Sequence, residues 1–73
     1  MIDIALLGDA DIGRWVVYTP DRTRGESERG RIKSWNDQNI FVVYSCNGDW
    51  HRFLEFTGCS TDPYDLEFVH ERN

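Results

Sequence analysis

Two cysteines and two histidines are the residues of this 73-residue chain with the clearest capacity for chemistry. They supply the thiols and imidazoles of a structural zinc site, and they are Cys46, His51, Cys59 and His70. Their spacing has neither the short cysteine pair nor the short histidine pair that such sites use. We therefore expect two reduced thiols and no metal or other cofactor. A disulfide is the alternative if the two cysteines lie on adjacent strands.

A nucleophile and a base flank one predicted turn, because Cys46 and His51 lie on either side of Asn47-Gly48-Asp49. A catalytic pair needs its two atoms within about 3 Å and a third group that orients the base. No glycine-rich phosphate loop or oxyanion hole accompanies this pair. A core of this size also contributes only about 3–5 kcal/mol of net stability, which leaves little room for a pocket of buried charges. The sequence predicts a protein that is not an enzyme.

Aromatic side chains are numerous, with three Trp, three Tyr and four Phe. The interior of a small β domain holds about half that number beside its aliphatic residues, so we expect the surplus at the surface. An exposed tryptophan is a favoured anchor for a partner because it buries a large area with little loss of rotamer freedom. Trp35 and Trp50 are the predicted anchors, supported by Tyr44 and Phe53. The alternative is that both tryptophans close the ends of the fold as lids.

Charge is distributed unevenly along the chain, whose formal net charge is −5. Residues 1–13 carry −3, residues 14–33 carry +3 and residues 34–73 carry −5. Alternation along a strand at residues 28–35 predicts two sides of different character. The basic side carries Arg29, Arg31, Lys33 and Trp35, and the other carries Gly30, Ile32 and Ser34.

These features predict that the chain binds a protein partner and directs its basic strand at an acidic surface. The predicted binding residues are Trp35, Trp50, Tyr44, Phe53, Arg29, Arg31, Lys33 and Asp37. Single-stranded nucleic acid is the alternative partner, because small barrels stack bases on aromatic rings beside basic strands. The acidic remainder of the chain opposes that alternative electrostatically.

The strands that must position these residues are short and closely spaced. β-branched and aromatic runs between turn residues predict five of them, over residues 14–19, 28–35, 40–45, 50–57 and 66–69. We expect turns at residues 36–39 and 47–49 and a flexible loop at 20–26. Residues 1–12 are predicted to form an arm or helical turn with Ile2, Ala5 and Leu6 against the body, and residues 70–73 a fraying tail. With no long helix to cover an open sheet, the strands are expected to curl into a small barrel.

The hydrophobic rhythm over residues 13–69 resembles the SH3-like small barrels of the Tudor and related groups. The residues that carry it are Gly13-x-x-Val16-x-Tyr18, Gly30-x-Ile32, Ile40-Phe41-Val42-x-Tyr44 and Pro63-x-x-Leu66. The resemblance implies an all-β, five-stranded SH3-like (Tudor-like) barrel with a short 3₁₀ turn before the last strand. It also implies another alternative, a methyl-lysine or methyl-arginine reader whose aromatic cage holds the cation. By position, the cage would use Trp35, Phe41, Tyr44 and Trp50, with Asp37 or Asp49.

Two shorter stretches, Ser34-Trp35-Asn36-Asp37 and Tyr44-x-Cys46-x-x-x-x-His51, resemble short proteins of bacteriophages and prophages. That resemblance implies an accessory factor that engages or inhibits a host component, such as one of host defence. The N-terminus lacks the charged and apolar regions of a signal peptide, and no apolar run approaches the length of a membrane span. We therefore expect a cytoplasmic protein with no membrane partner, and the sequence leaves its oligomeric state open.

Overall fold

A single antiparallel sheet organises the chain in a computed structural model that describes residues 1–20 and 27–69. Its strands run in the order β4-β3-β2-β1-β5. They are β1 (Trp15–Tyr18), β2 (Glu28–Trp35), β3 (Ile40–Val43), β4 (Cys59–Thr61) and β5 (Leu66–Phe68). The predicted all-β class is confirmed, and β1, β2, β3 and β5 lie where the sequence placed them.

The turn between β2 and β3 forms as predicted. The side-chain oxygen of Asn36 accepts hydrogen bonds from the backbone N–H groups of Gln38 and Asn39, at 2.8 and 2.7 Å. The Asn36 N–H donates to the Asn39 carbonyl oxygen at 3.0 Å. The Asn36 side chain thus pairs with backbone N–H groups that the turn would otherwise leave without a partner. These hydrogen bonds fix the position at which the β2–β3 ladder starts.

The two edges of the sheet are connected by a 3₁₀ helix, Pro63–Asp65. Asp62 caps it by accepting a hydrogen bond from the Tyr64 N–H at 2.9 Å, and Pro63 occupies the first turn, where no N–H is needed. The predicted 3₁₀ turn before the last strand is therefore confirmed. Within residues 1–20 and 27–69 no ladder joins β4 to β5, so the sheet is open there.

The predicted strand at residues 50–57 is wrong. Trp50–Glu55 form a 3₁₀ helix with a kink at Arg52, and the next strand begins only at Cys59. The left-handed backbone of Asn47 and Gly48 closes a tight turn, after which the Arg52 N–H donates to the Asp49 carbonyl oxygen and starts the helix. The apolar residues Trp50, Phe53 and Phe56 recur every third position, which is the period of a 3₁₀ helix rather than a strand.

The predicted face of Trp35 is also wrong, because a register shift interrupts the β2–β3 ladder. Ile32 pairs with Val42, but Ser34 pairs with Phe41 and Trp35 with Ile40. One extra residue in a strand reverses the side on which later residues point. Trp35 therefore packs with the core beside Ile32, away from the basic side chains with which simple alternation grouped it.

Both faces of the sheet carry a hydrophobic cluster. The cluster on what we call the interior face comprises Ile2, Val16, Ile32, Ile40, Val42 and Leu66. The cluster on the outer face comprises Val43, Cys46 and Phe53, with Trp50 and Phe56 packed against it. β3 contributes to both clusters and is therefore buried on two sides.

The N-terminal arm contains two 3₁₀ helices, Ile4–Leu6 and Asp9–Asp11. Ile2 is buried as predicted, and its N–H donates to the Pro63 carbonyl oxygen at 3.0 Å. The prediction for Ala5 and Leu6 is wrong, since both are exposed and Ile4 and Leu7 pack against the interior cluster instead. The rest of the predicted 20–26 loop after Pro20, and the predicted tail at 70–73, lie outside the described residues.

Tyr44 joins the interior cluster to β4 through a hydrogen bond between its hydroxyl and Thr61 Oγ1 at 2.9 Å. The Thr61 hydroxyl donates in turn to the Cys59 carbonyl oxygen at 3.1 Å. Burial raises the pKa of Tyr44 to about 12, and the Glu28 carboxylate acts in the same direction, while the bond with Thr61 opposes it.

We expect the protein to lose stability as the pH rises from about 10 to about 12. The unfolded phenol loses its proton near pH 10, whereas folded Tyr44 keeps it until about pH 12. The folded state binds more protons in this window, so the free energy of unfolding falls with pH. Urea unfolding at several pH values should show this slope in the wild type and a reduced slope in Tyr44→Phe. Equal slopes for wild type and Tyr44→Phe would contradict the assignment.

Candidate functional site

Trp15 and Trp50 form a pair on the outer face. Their ring centroids are 4.7 Å apart and their planes are inclined at 58°. β1 supplies Trp15, and the Trp50–Glu55 helix folds back over the sheet to supply Trp50. Both rings are half-buried, so each keeps part of its surface available for contact with another molecule.

Arg31 connects this pair to the sheet. Its Nε donates to the Gly13 carbonyl oxygen at 2.7 Å and its Nη1 to the Trp50 carbonyl oxygen at 2.9 Å. The guanidinium also lies 4.4 Å from the centroid of the Phe53 ring and 5.5 Å from that of Trp15. Hydrogen bonds from a charged donor are stronger than neutral ones, so Arg31 holds the first residue of the helix in place.

Lys33 holds the other end of the same segment, donating from Nζ to the Phe56 carbonyl oxygen at 2.5 Å. Arg29 is exposed, with its guanidinium 5.7 Å from the Trp15 centroid. Among the residues that the structure describes, Arg29, Arg31 and Lys33 form no ion pair. The outer face therefore retains positive charge in a protein that is acidic overall.

The structure brings together only part of the predicted site. Trp50, Arg29 and Arg31 lie beside Trp15 on the outer face. Phe53 lies against the Arg31 guanidinium, and Lys33 binds at the far end of the helix. Trp35 and Tyr44 pack against the interior cluster instead. Asp37 is exposed in the turn after β2.

The cage predicted for a methylated ammonium group is not assembled from its expected residues. Trp35 and Tyr44 belong to the interior face. Trp50 packs on the outer face, and Phe41 points to that side because it alternates with Ile40 and Val42.

Sequence reasoning missed Trp15, which is the centre of the observed site. A signal was present: alternation in β1 places Trp15 and Val17 opposite the buried Val16. Antiparallel pairing then puts Trp15 directly across from Arg31. The sequence alone places Trp15 only in a strand. Its neighbours on β2 can be identified only once the pairing register is known.

The thiols and imidazoles are spread apart. Both cysteines are free; Cys46 is buried beneath Phe53, and Cys59 is exposed on β4. His51 is exposed, and His70 lies outside the described residues. In the part of the chain that the structure covers, no cluster of three or more His, Cys, Asp or Glu could hold a metal ion.

Over the same residues, the structure contains no helix with the length and apolar character needed to cross a membrane. Comparison of the chain with models of protein families, with curated proteins and with solved structures found no match.

Proposed function

We propose that this protein is a non-enzymatic binding module that engages an acidic segment of a protein partner through its outer face. The observation that carries the proposal is the Trp15–Trp50 pair flanked by Arg29 and Arg31, which form no ion pair within the described chain. Aromatic and arginine side chains contribute most of the energy at protein interfaces. Unpaired cations beside them favour a partner carboxylate in preference to other surfaces.

The same geometry favours protein over single-stranded nucleic acid. Arg31 and Lys33 already donate to backbone carbonyl oxygens, which leaves Arg29 as the exposed cation of the three. Affinity for a phosphate backbone grows with the number of cations that reach it, and a net charge of −5 repels a polyanion. A protein segment, in contrast, needs only one carboxylate to pair with Arg29 and one apolar side chain to contact the tryptophan pair.

We further propose that the sheet is an SH3-like barrel, as the sequence resemblance implies. The strand order β4-β3-β2-β1-β5 and the 3₁₀ helix between the two edge strands support this interpretation. In such a fold the outer face of β1 and β2 lies outside the barrel wall, accessible to a partner.

We expect peptides selected from a random peptide library by the wild-type protein to be acidic and to contain a large apolar residue. Trp50→Ala and Arg29→Glu should each weaken binding of a selected peptide by about tenfold or more, corresponding to about 1.4 kcal/mol, as measured by isothermal titration calorimetry. Arg29→Lys keeps the charge and should retain most of the affinity, and thermal melts should show that the variants remain folded.

Two results would overturn the proposal. Peptides that bind Arg29→Glu as tightly as the wild type would show that the basic face is not used. Micromolar binding of oligothymidine with a steep loss of affinity in added salt, together with no selected peptide, would favour the nucleic-acid alternative.

A further inference from the structure

A groove of about 350 Å³ lies between the N-terminal arm and β5. Ile2, Leu7 and Phe68 form its inner part, and all three belong to or pack against the interior cluster. Met1 and Leu6 form its outer edge. Phe68 pairs with Val16, and Trp15, the neighbour of Val16 in β1, points to the opposite side of the sheet. The groove is therefore separate from the outer face.

The outer edge of the groove exposes large apolar side chains to solvent. Met1 is 65% exposed and Leu6 is 79% exposed. The other exposed large hydrophobic residues of the described chain, which do not line the groove, are Ile12, Leu54 and Tyr64. Apolar surface concentrated in one place on a small protein marks an interaction site more often than scattered single residues do.

The charged side chains that line the groove are Asp3, Asp11 and Arg14, beside the ammonium of Met1. Asp11 is ion-paired with Arg14 at 2.9 Å, and the Arg14 guanidinium lies 3.7 Å from the centroid of the Phe68 ring. The N-terminal ammonium is paired with Glu67. Asp3 also lines the groove and has no ion pair within the described residues, so it places an uncompensated carboxylate beside the apolar surface.

We propose that this groove docks a basic amphipathic segment of a protein partner. One or two aliphatic side chains of the segment would enter the groove against Leu6, Leu7 and Phe68, and a Lys or Arg side chain would face Asp3. The charge preference is opposite to that of the outer face. The proposal therefore stands or fails independently of the function proposed above.

The test uses a short fluorescein-labelled helical peptide with leucines at i and i+4 and lysines elsewhere. Two control peptides change one property each: glutamates replace the lysines in one, and serines replace the leucines in the other. Anisotropy should show that the full-length protein binds the leucine–lysine peptide about tenfold more tightly than the serine control, the order expected for losing one buried leucine. It should also bind the leucine–lysine peptide more tightly than the glutamate control, whose charge repels Asp3. NMR shift changes should map to residues 1–14 and Phe68.

Matched variants distinguish binding in the groove from nonspecific binding to exposed apolar surface. Leu6→Ser and Asp3→Lys should each weaken binding of the leucine–lysine peptide, whereas Leu54→Ser, at another exposed leucine, and Trp50→Ala should leave it unchanged. Equal effects of Leu6→Ser and Leu54→Ser would overturn the proposal. So would shifts that map to Trp15 and Trp50, equal binding of the serine control, or Leu6-dependent self-association of the protein without peptide binding.

Discussion

Replacing Gly30 with alanine is expected to remove most of the stability of the protein at room temperature. Gly30 is buried in the middle of β2, opposite Val16. A Cβ atom added there would lie 2.6 Å from Val42 Cγ1, 2.6 Å from the Val43 carbonyl oxygen and 2.9 Å from Tyr44 Cδ1. The Val43 oxygen belongs to the neighbouring strand, so β2 and β3 would have to move apart.

Overpacking of this kind costs about 1–3 kcal/mol, and more when the backbone must shift. A domain of this size has about 3–5 kcal/mol of net stability, so the substitution removes most of it. Circular dichroism and urea unfolding measure the loss. Gly8→Ala is the matched control, because Gly8 has a negative φ and no atom within 4 Å of the added Cβ. Similar unfolding midpoints for the two variants would show that β2 and β3 are not packed as described.

Replacing Arg31 with methionine is expected to lower the free energy of unfolding by about 3 kcal/mol. The change removes two charge-assisted hydrogen bonds, each worth about 1.5–3 kcal/mol when fully buried, and leaves the Gly13 and Trp50 carbonyl oxygens without their donor. Because these groups are only partly buried, water recovers part of the loss. For a domain of this length, the melting temperature should fall by roughly 15 °C.

The matched control is Arg29→Met, two residues away on the same face of β2. The Arg29 side chain is exposed and donates no hydrogen bond within the described chain, so its replacement should change stability by less than about 0.5 kcal/mol. Tryptophan fluorescence should change in Arg31→Met, because Trp50 would lose its fixed position beside Trp15. If both variants melt within a few degrees of the wild type, Arg31 does not hold the helix to the sheet.

Much of the sheet could be predicted from the sequence because its signals are local. The β-branched and aromatic residues of β1 and β3, and the Asn36 turn, indicate strands and their connection without knowledge of the tertiary fold. The sequence signal for the 3₁₀ helix at Pro63 is equally local, since Asp62 and Pro63 together specify a helix start.

The features that were missed depend on pairing between distant residues. The register shift after Ile32 has no recognisable sequence signature, yet it reverses the side of Trp35. The residues from Trp50 to Phe56 are rich in strand-forming aromatics, and only their burial every third residue distinguishes the helix. Trp15 became a site residue only when the β1–β2 register placed it beside Arg31.

Arg31 contacts both the sheet and the segment that carries Trp50, so folding and the proposed recognition share one set of contacts. A ligand that binds only when Trp50 lies beside Trp15 also stabilises the folded chain, by an amount that grows with the logarithm of its concentration. The affinity of the protein and its resistance to heat are therefore thermodynamically linked. For a domain with so little stability of its own, a partner that binds as proposed would help to set the folded fraction through its concentration.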